Sequence, residues 1–306
     1  MIIWRKVGVG DIVIKSNDLP PAPKVRYTTS SGGEWYESDA IIDDNGVFTG
    51  FNGKEDAVEA ILPADVGITS IGGSVFEDCS NLKGVELPAG VVNIGEKAFY
   101  NCDSLTSIVL PDSVVDIGSN TFAYCGKLVD ITIPSGVTQI RDFTFYDCHE
   151  LANIAIPNGV TNIGTGAFEL CKKLTSIDIP NSVTNIGTGA FAECYELNSV
   201  TIPDSVTSIE SYAFARCHGL TSVTIGNGVT NIKRETFAGC SRLGSIILPN
   251  SVTSIEQEAF SSCIQLTSIT IPNSVTSIKT MAFSACRTLT SITFEGNAPT
   301  MGGYVF

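Results

Sequence analysis

Apolar and polar positions along this chain recur with a fixed step of 23 residues. In the unit Leu105 to Lys127, apolar residues stand at Leu105, Ile108, Leu110, Val114, Ile117, Phe122 and Cys125, and matching offsets recur in every unit. Leu105-x-x-Ile108-x-Leu110 ends on an alternation of period two, which predicts a strand. A proline follows at once (Pro88, Pro111, Pro134, Pro157, Pro180, Pro203, Pro249, Pro272), with Gly226 the interior exception. Proline has no N–H to give to a ladder, so it ends the strand and turns the chain. Val114-x-x-Ile117 predicts a second short extended piece, and Phe122 to Cys125 a turn or a short helical arc. All 10 cysteines fall in one column: Cys79, Cys102, Cys125, Cys148, Cys171, Cys194, Cys217, Cys240, Cys263 and Cys286. A phenylalanine stands three positions before each, from Phe76 to Phe283. A fixed period in this range is the mark of a solenoid, in which one coil buries too little to fold and stacked coils share a core. Ten coils at the strand spacing give a rod or arc on the order of 50 Å long.

The first coil carries two extra residues: Pro63 to Phe76 spans thirteen positions, where Pro88 to Phe99 spans eleven. A loop near Ala64–Thr69 is expected to absorb them. Upstream the chain does not repeat. Ile2–Trp4 and Asp11–Lys15 predict short strands around a turn at Val7–Gly10, and Leu19–Lys24 an extended, polyproline-like connector. The polar run Thr28–Gly33 is expected to be mobile. Val47–Phe51 and Ala57–Leu62 predict strands that begin the stack. The resulting division is a small β and linker segment over 1–40, a cap over 41–62, ten repeats over 63–294 and a degenerate final repeat over 295–306.

The pattern Ile186-x-x-x-Ala190-Phe191-x-x-Cys194-x-x-Leu197-x-x-Val200-x-Ile202-Pro203-x-x-Val206-x-x-Ile209 resembles the BspA-type, or Treponema pallidum-type, leucine-rich repeat. The resemblance covers roughly 63–294 and implies a right-handed leucine-rich-repeat superhelix: an α/β-type solenoid, mostly β, of 23-residue coils. It also implies an adhesion or binding scaffold, often on microbial surfaces, and no chemistry. One departure matters. The slot that holds Asn or Cys in the general leucine-rich motif is Ser or Gly here (Ser113, Gly136, Ser182), so the backbone caps of an asparagine ladder must come from elsewhere. In the tail, Phe306 falls on the phenylalanine column although Glu295 replaces the proline.

Composition narrows the function classes. With 43% hydrophobic residues the chain has ample apolar content for a continuous core, and its net charge of −14 argues against a non-specific nucleic-acid grip. No run of about 18 apolar residues predicts a transmembrane helix, and the start lacks the apolar stretch and cleavage site of a secretion signal. No Asn-x-Ser/Thr acceptor occurs. The cysteines predict a buried ladder of free thiols. Residues one coil apart stack at about 4.8 Å with parallel Cβ vectors, whereas disulfide Cβ atoms lie about 3.5–4.5 Å apart and face each other. No Cys-x-x-Cys pair recommends a metal, and none is expected. The two histidines, His149 and His218, stand three coils apart, about 14 Å, too far to share a metal or a proton. Serines lack a positioned base, and the Gly-x-Gly pairs (Gly164/Gly166, Gly187/Gly189) lie in repeat turns. The expectation is a non-enzymatic chain without cofactor.

Binding is then sought where the coils differ from one another. The outward strand positions are mostly Ser and Thr, with Asp130, Asn153, Asp178 and Ile247 as exceptions, and no Trp, Tyr or Arg to serve as a hot spot. The ridge around the cysteine column varies from coil to coil and supplies the candidate ligand-binding residues Tyr100, Tyr124, Tyr146, His149, Tyr195, Arg216 and His218. The expected partner is a protein or cell-surface ligand, with no nucleic acid and no membrane insertion. The alternative is a structural or host-attachment component, such as part of a phage particle or surface appendage, assembled through residues 1–40. Cell-surface or extracellular location follows from the resemblance, and virion or cytoplasm from the missing signal.

Overall fold

The computed structural model describes residues 22–30 and 32–306, together with the backbone of the short antiparallel pair Ile3–Arg5 and Ile12–Ile14. The turn expected at Val7–Gly10 and the Leu19–Pro21 part of the connector lie outside the described residues. From the cap onward the chain is a mostly β solenoid of about 11 turns. The α/β element of the expectation is hardly present. Among the described residues the one helical piece is the 3-10 turn Lys54–Asp56.

Each coil follows the pattern read from its sequence. Ser199–Ile202 is a strand in which Val200 and Ile202 point inward and Ser199 and Thr201 outward. It pairs in parallel with Ser222–Ile225 of the next coil, Ser199 opposite Ser222, so the 23-residue step is also the pairing register. After Pro203 a turn closes by the Val206 N–H donating to the Pro203 carbonyl at 3.1 Å. The second strand, Ser208–Ile209, pairs in parallel with Asn185–Ile186 and buries Ile209.

The third side is neither strand nor helix. It is a train of tight turns whose N–H groups alternate in direction. Tyr100 N–H donates back to Lys97 O at 3.0 Å within the coil, whereas Phe99 and Asn101 N–H donate forward to Thr121 O (2.9 Å) and Ala123 O (2.8 Å) of the next. The buried donors Ala98, Phe99 and Cys102 on this arc thus each have a partner, as burial demands.

Beneath the arc the phenylalanines stack. Phe76 to Phe283 form a column in which neighbouring rings lie 5.2 to 5.6 Å apart and are nearly parallel. The cysteines lie alongside as free thiols, all buried except the half-buried Cys286. Cys102 Sγ–H donates to the Phe76 carbonyl of the preceding coil at 3.1 Å, and the same bond recurs at every later cysteine through Cys286. These thiols supply part of the backbone capping that the absent asparagine ladder leaves open. Serines in the vacated slot supply more: Ser182 Oγ–H donates to Val160 O and Ser251 Oγ–H to Val229 O, both at 2.6 Å. Burial pushes the thiols up, Cys79 to about 11 and Cys125 and Cys217 to about 12.

The first end differs from the expectation. The sequence places residues 24–39 in the head, yet Lys24–Thr29 and Gly32–Asp39 form an antiparallel hairpin, and Lys24–Thr29 pairs antiparallel to Ala57–Ile61. Ala57–Ile61 in turn pairs in parallel with Gly84–Glu86, so the hairpin covers the open edge of the strand face. The run Thr28–Gly33, expected to be mobile, includes paired positions at the tip of that hairpin: Thr28 faces Trp35 and Thr29 faces Gly32. The loop of the long first coil falls where expected, exposed over 64–67. In the tail, Thr300–Met301 pairs with Ser277–Ile278, and Phe306 extends the ring column at 5.9 Å from Phe283.

Candidate functional site

The turn arc presents its side chains through an unusual backbone. In every coil the residues one and five positions before the cysteine have positive φ. The first column includes Asn101, Tyr124, Asp147, Glu193 and Arg216, the second Lys97, Phe143, Tyr212 and Glu235, with φ between 52° and 63°. Left-handed backbone is costly for residues with a Cβ, and it persists where surrounding structure over-determines it. Here the forward hydrogen bonds to the next coil do so. The strain belongs to the architecture, because every coil carries it. Its consequence is that variable side chains stand outward in columns, unconstrained by the core.

Three of the sequence-predicted residues meet on this arc. Tyr100 and Tyr124 pack edge to face at 5.2 Å, and Tyr124 and Tyr146 do the same at 5.2 Å. Burial raises the hydroxyl pKa of Tyr100 and Tyr146, with Tyr124 adding to both. Phe143, which the sequence reading passed over, continues the cluster at 5.7 Å from Tyr146, and Lys97 lies 5.3 Å over the Tyr100 ring. Three more gather two coils further on. The Tyr195 and His218 rings stack at 5.2 Å. Tyr195 O–H donates to Glu193 Oε2 at 2.6 Å, and Arg216 Nη1–H to Glu193 Oε1 at 2.9 Å. The Tyr195 hydroxyl, and then Arg216, hold the Glu193 carboxyl below its usual range. His149 stands between the two groups, 3.4 Å from Asp147 Oδ1. Its ring fits because Gly126 has no side chain: a Cβ there would meet His149 Cε1 at 2.4 Å.

Between Phe143 and Ser262 the arc is hollowed into a trough of about 510 Å³, floored by Ala192, Ala215 and Ala238. Tyr212, Glu235 and Glu258 stand along it from the column five before the cysteine. Variation from coil to coil was the available signal for that column.

The family model for the BspA type leucine rich repeat region matches this chain in 6 copies, over residues 69–198 and 184–306. The chain belongs to the BspA-type leucine-rich repeat family. Among solved structures it is similar to a leucine-rich repeat protein from Eubacterium ventriosum at 21% identity and a TM-score of 0.51, over 92% of this chain and 94% of that one, which carries the fold. A leucine rich cell surface protein from Faecalibacterium prausnitzii is 30% identical over 92% of this chain and 97% of that one, with a TM-score of 0.41. The T. pallidum leucine rich repeat protein is 29% identical over 75% of this chain and 87% of that one, with a TM-score of 0.43. No curated protein matches.

In this BspA-type solenoid the strand face needs one correction. It was expected to hold no Trp, Tyr or Arg, but the cap hairpin adds Trp35 and Arg26 to that sheet, the guanidinium 5.2 Å over the indole ring. A depression of about 770 Å³ runs from Trp35 past Ile61 and Leu87 to Val109. Val109 is 82% exposed and matches the expected exception Ile247 at 81%. Elsewhere the face is mostly Ser and Thr, with Asp130, Asn153 and Asp178 as the other expected exceptions and Val129 a further exposed apolar residue. Among the described residues no group of three or more His, Cys, Asp or Glu is placed to hold a metal ion, and no helix is long and apolar enough to cross a membrane.

Proposed function

We propose that this chain is a non-enzymatic binding or adhesion solenoid that recognises a protein or cell-surface ligand through the turn arc. The observation that carries the reading is the concentration of coil-specific aromatic and charged side chains on one of three repeated sides. Tyr100, Tyr124, Tyr146 and Phe143 form one ring cluster, and Tyr195, Arg216 and His218 meet around Glu193. Tyr and Arg in packed surface clusters are the residues from which hot spots are made. The F. prausnitzii relative is described as a cell surface protein, which supports an extracellular location for this one. A ligand captured from cell-surface extracts on the intact chain is expected to bind Tyr124→Ala/Tyr146→Ala at least tenfold more weakly. Thr201→Ala/Thr224→Ala on the strand face should leave affinity unchanged. Equal affinity for all three chains would sink the proposal.

A second reading makes the first residues an anchor in a larger assembly. Ile3–Arg5 and Ile12–Ile14 pair as a separate two-stranded sheet, built from Ile, Trp and Val with one Arg. A lone two-stranded hairpin is marginal in water and is stabilised by packing on something else. Deleting residues 1–21, which spares the cap sheet, separates the readings: an anchored rod loses assembly, and a free binder keeps its ligand.

A further inference from the structure

Two places on the arc hold the same triple of ring, cation and carboxylate. Lys97 Nζ lies 5.3 Å from the Tyr100 ring centroid and 3.8 Å from Glu77 Oε1. Arg234 lies 5.7 Å over the Tyr212 ring, with its Nε 3.1 Å from Glu235 Oε1. In each, the ring face and the carboxylate attract the cation together, one through its quadrupole and the other through its charge.

A third place has the ring and the carboxylate without the cation. Gly166, at φ +56°, leaves a notch in the arc: a Cβ there would lie 2.5 Å from the edge of the Phe143 ring and 3.1 Å from Glu169 Oε2. Phe143 and Glu169 therefore converge over one residue, at the end of the trough. Tyr146 packs edge to face against the ring at 5.7 Å. Glu169 is half-buried, and none of the ion pairs among the described residues reaches its carboxylate. Burial, and then the nearby Glu193, hold its carboxyl above the usual range. The Glu193 carboxylate is itself taken by Tyr195 and Arg216. A half-buried carboxylate without a counter-charge is a group that a cation from outside would stabilise.

We propose that the Phe143–Glu169 corner is a subsite for a lysine or arginine side chain of a protein partner lying along the trough. The incoming cation pairs with the Glu169 carboxylate, and its apolar stem packs against the Phe143 ring edge. Arginine is the better fit, because its planar fork can pair with a carboxylate through two N–H groups. The trough continues past the corner along the small floor of Ala192, Ala215 and Ala238. It spans five coil steps, about 24 Å, the length of about seven extended residues. The subsite deepens the arc-binding reading by naming the chemistry of the partner there.

The test titrates the full chain, labelled at its alanine methyl groups, with the capped peptide Gly-Arg-Gly and, in parallel, Gly-Gln-Gly. The arginine peptide is expected to shift Ala192 and to bind at least fivefold more weakly to Glu169→Gln and about threefold more weakly to Phe143→Ala. Glu169→Asp, which keeps the charge and withdraws it, should fall between. Glu256→Gln, an equal change of charge outside the trough, should match the unaltered chain. Equal binding of both peptides, or equal arginine binding by Glu169→Gln, overturns the subsite. Its failure is distinct from that of the parent reading: a captured ligand that loses affinity with Tyr124→Ala/Tyr146→Ala yet ignores Glu169→Gln leaves the arc standing without this corner. A peptide that binds the corner while the captured ligand ignores the arc does the reverse.

Discussion

The strand face and the turn arc belong to the same coils and cover the same core, yet they treat their outward residues in opposite ways. On the strand face an outward residue mostly has Ser or Thr directly across in the adjacent coils: Ser199 lies between Ser176 and Ser222, while Thr201 lies between Asp178 and Thr224. Such positions favour residues that fit a pleated surface beside their own copy, and Ser and Thr recur. On the arc two of the outward columns sit on left-handed backbone whose N–H groups donate to main-chain carbonyls of the next coil. The side chain is released from structural duty, so Asn101, Tyr124, Asp147, Glu193 and Arg216 occupy equivalent places. Uniformity marks the side that assembles the solenoid, and variety the side left open to recognition.

The comparison breaks most severely at alkaline pH. The thiols under the arc, Cys286 excepted, are held above the ordinary thiol value, Cys79 at about 11 and Cys125 and Cys217 at about 12, because burial disfavours the thiolate. Their protonated form stabilises the fold, fully below the unfolded pKa of about 9 and progressively less as pH rises toward 11 and 12. Above pH 9 the unfolded chain has lost protons that the folded chain retains, so stability falls by up to about 1.4 kcal/mol per pH unit for each such thiol. Several acting together exceed the roughly 5–15 kcal/mol that holds a domain. Far-UV circular dichroism is expected to show the melting temperature falling steeply from pH 9 to 11. Replacing Cys125 and Cys217 with Ala should make the fall shallower. A flat profile would show that the thiol column does not hold the arc.

Next in size is the ring column. Phe191 is fully buried between Phe168 and Phe214, at 5.3 Å from each. Phe191→Ala is expected to cost about 3–5 kcal/mol in urea unfolding. Phe306, stacked on one side only and 61% exposed, should lose under about 1 kcal/mol on the same change. Similar losses at both sites would mean that the column does not act as a continuous stack.

These two columns were also what the sequence made legible. Phe and Cys recur at a fixed step because each ring and thiol packs against its own copy, so period, coil and core could be read without coordinates. The hairpin Lys24–Asp39 could not. It does not repeat, and its place on the strand face is set by pairing with Ala57–Ile61, a contact between distant segments. Trp35 and Arg26 were therefore assigned to the head, and the strand face looked emptier than it is. The column five before the cysteine escaped for another reason. Its left-handed backbone is held by the neighbouring coil, and Phe143, Tyr212 and Glu235 are residue types that do not announce positive φ. Tyr100, Tyr124 and Tyr146 were found by variation alone, but their edge-to-face contacts depend on how adjacent arcs are staggered.

The smallest effect isolates the difference between the two backbones. Glycine is free to adopt positive φ, whereas in a strand it only adds disorder to the unfolded chain. Ser262 occupies the arc at φ 60°, and Ser222 faces outward from Ser222–Ile225 on the strand side. Both are serines on the surface of the same solenoid. Ser222→Gly should destabilise by about 0.5–1 kcal/mol, through chain entropy and lost strand contacts. Ser262→Gly carries a similar entropic cost but relieves about 1–2 kcal/mol of left-handed strain, so its net effect should be neutral to about 1 kcal/mol stabilising. Paired urea melts of the two variants decide the matter by sign. If both destabilise alike, the arc positions carry no strain, and some other constraint must explain why side chains there vary so freely.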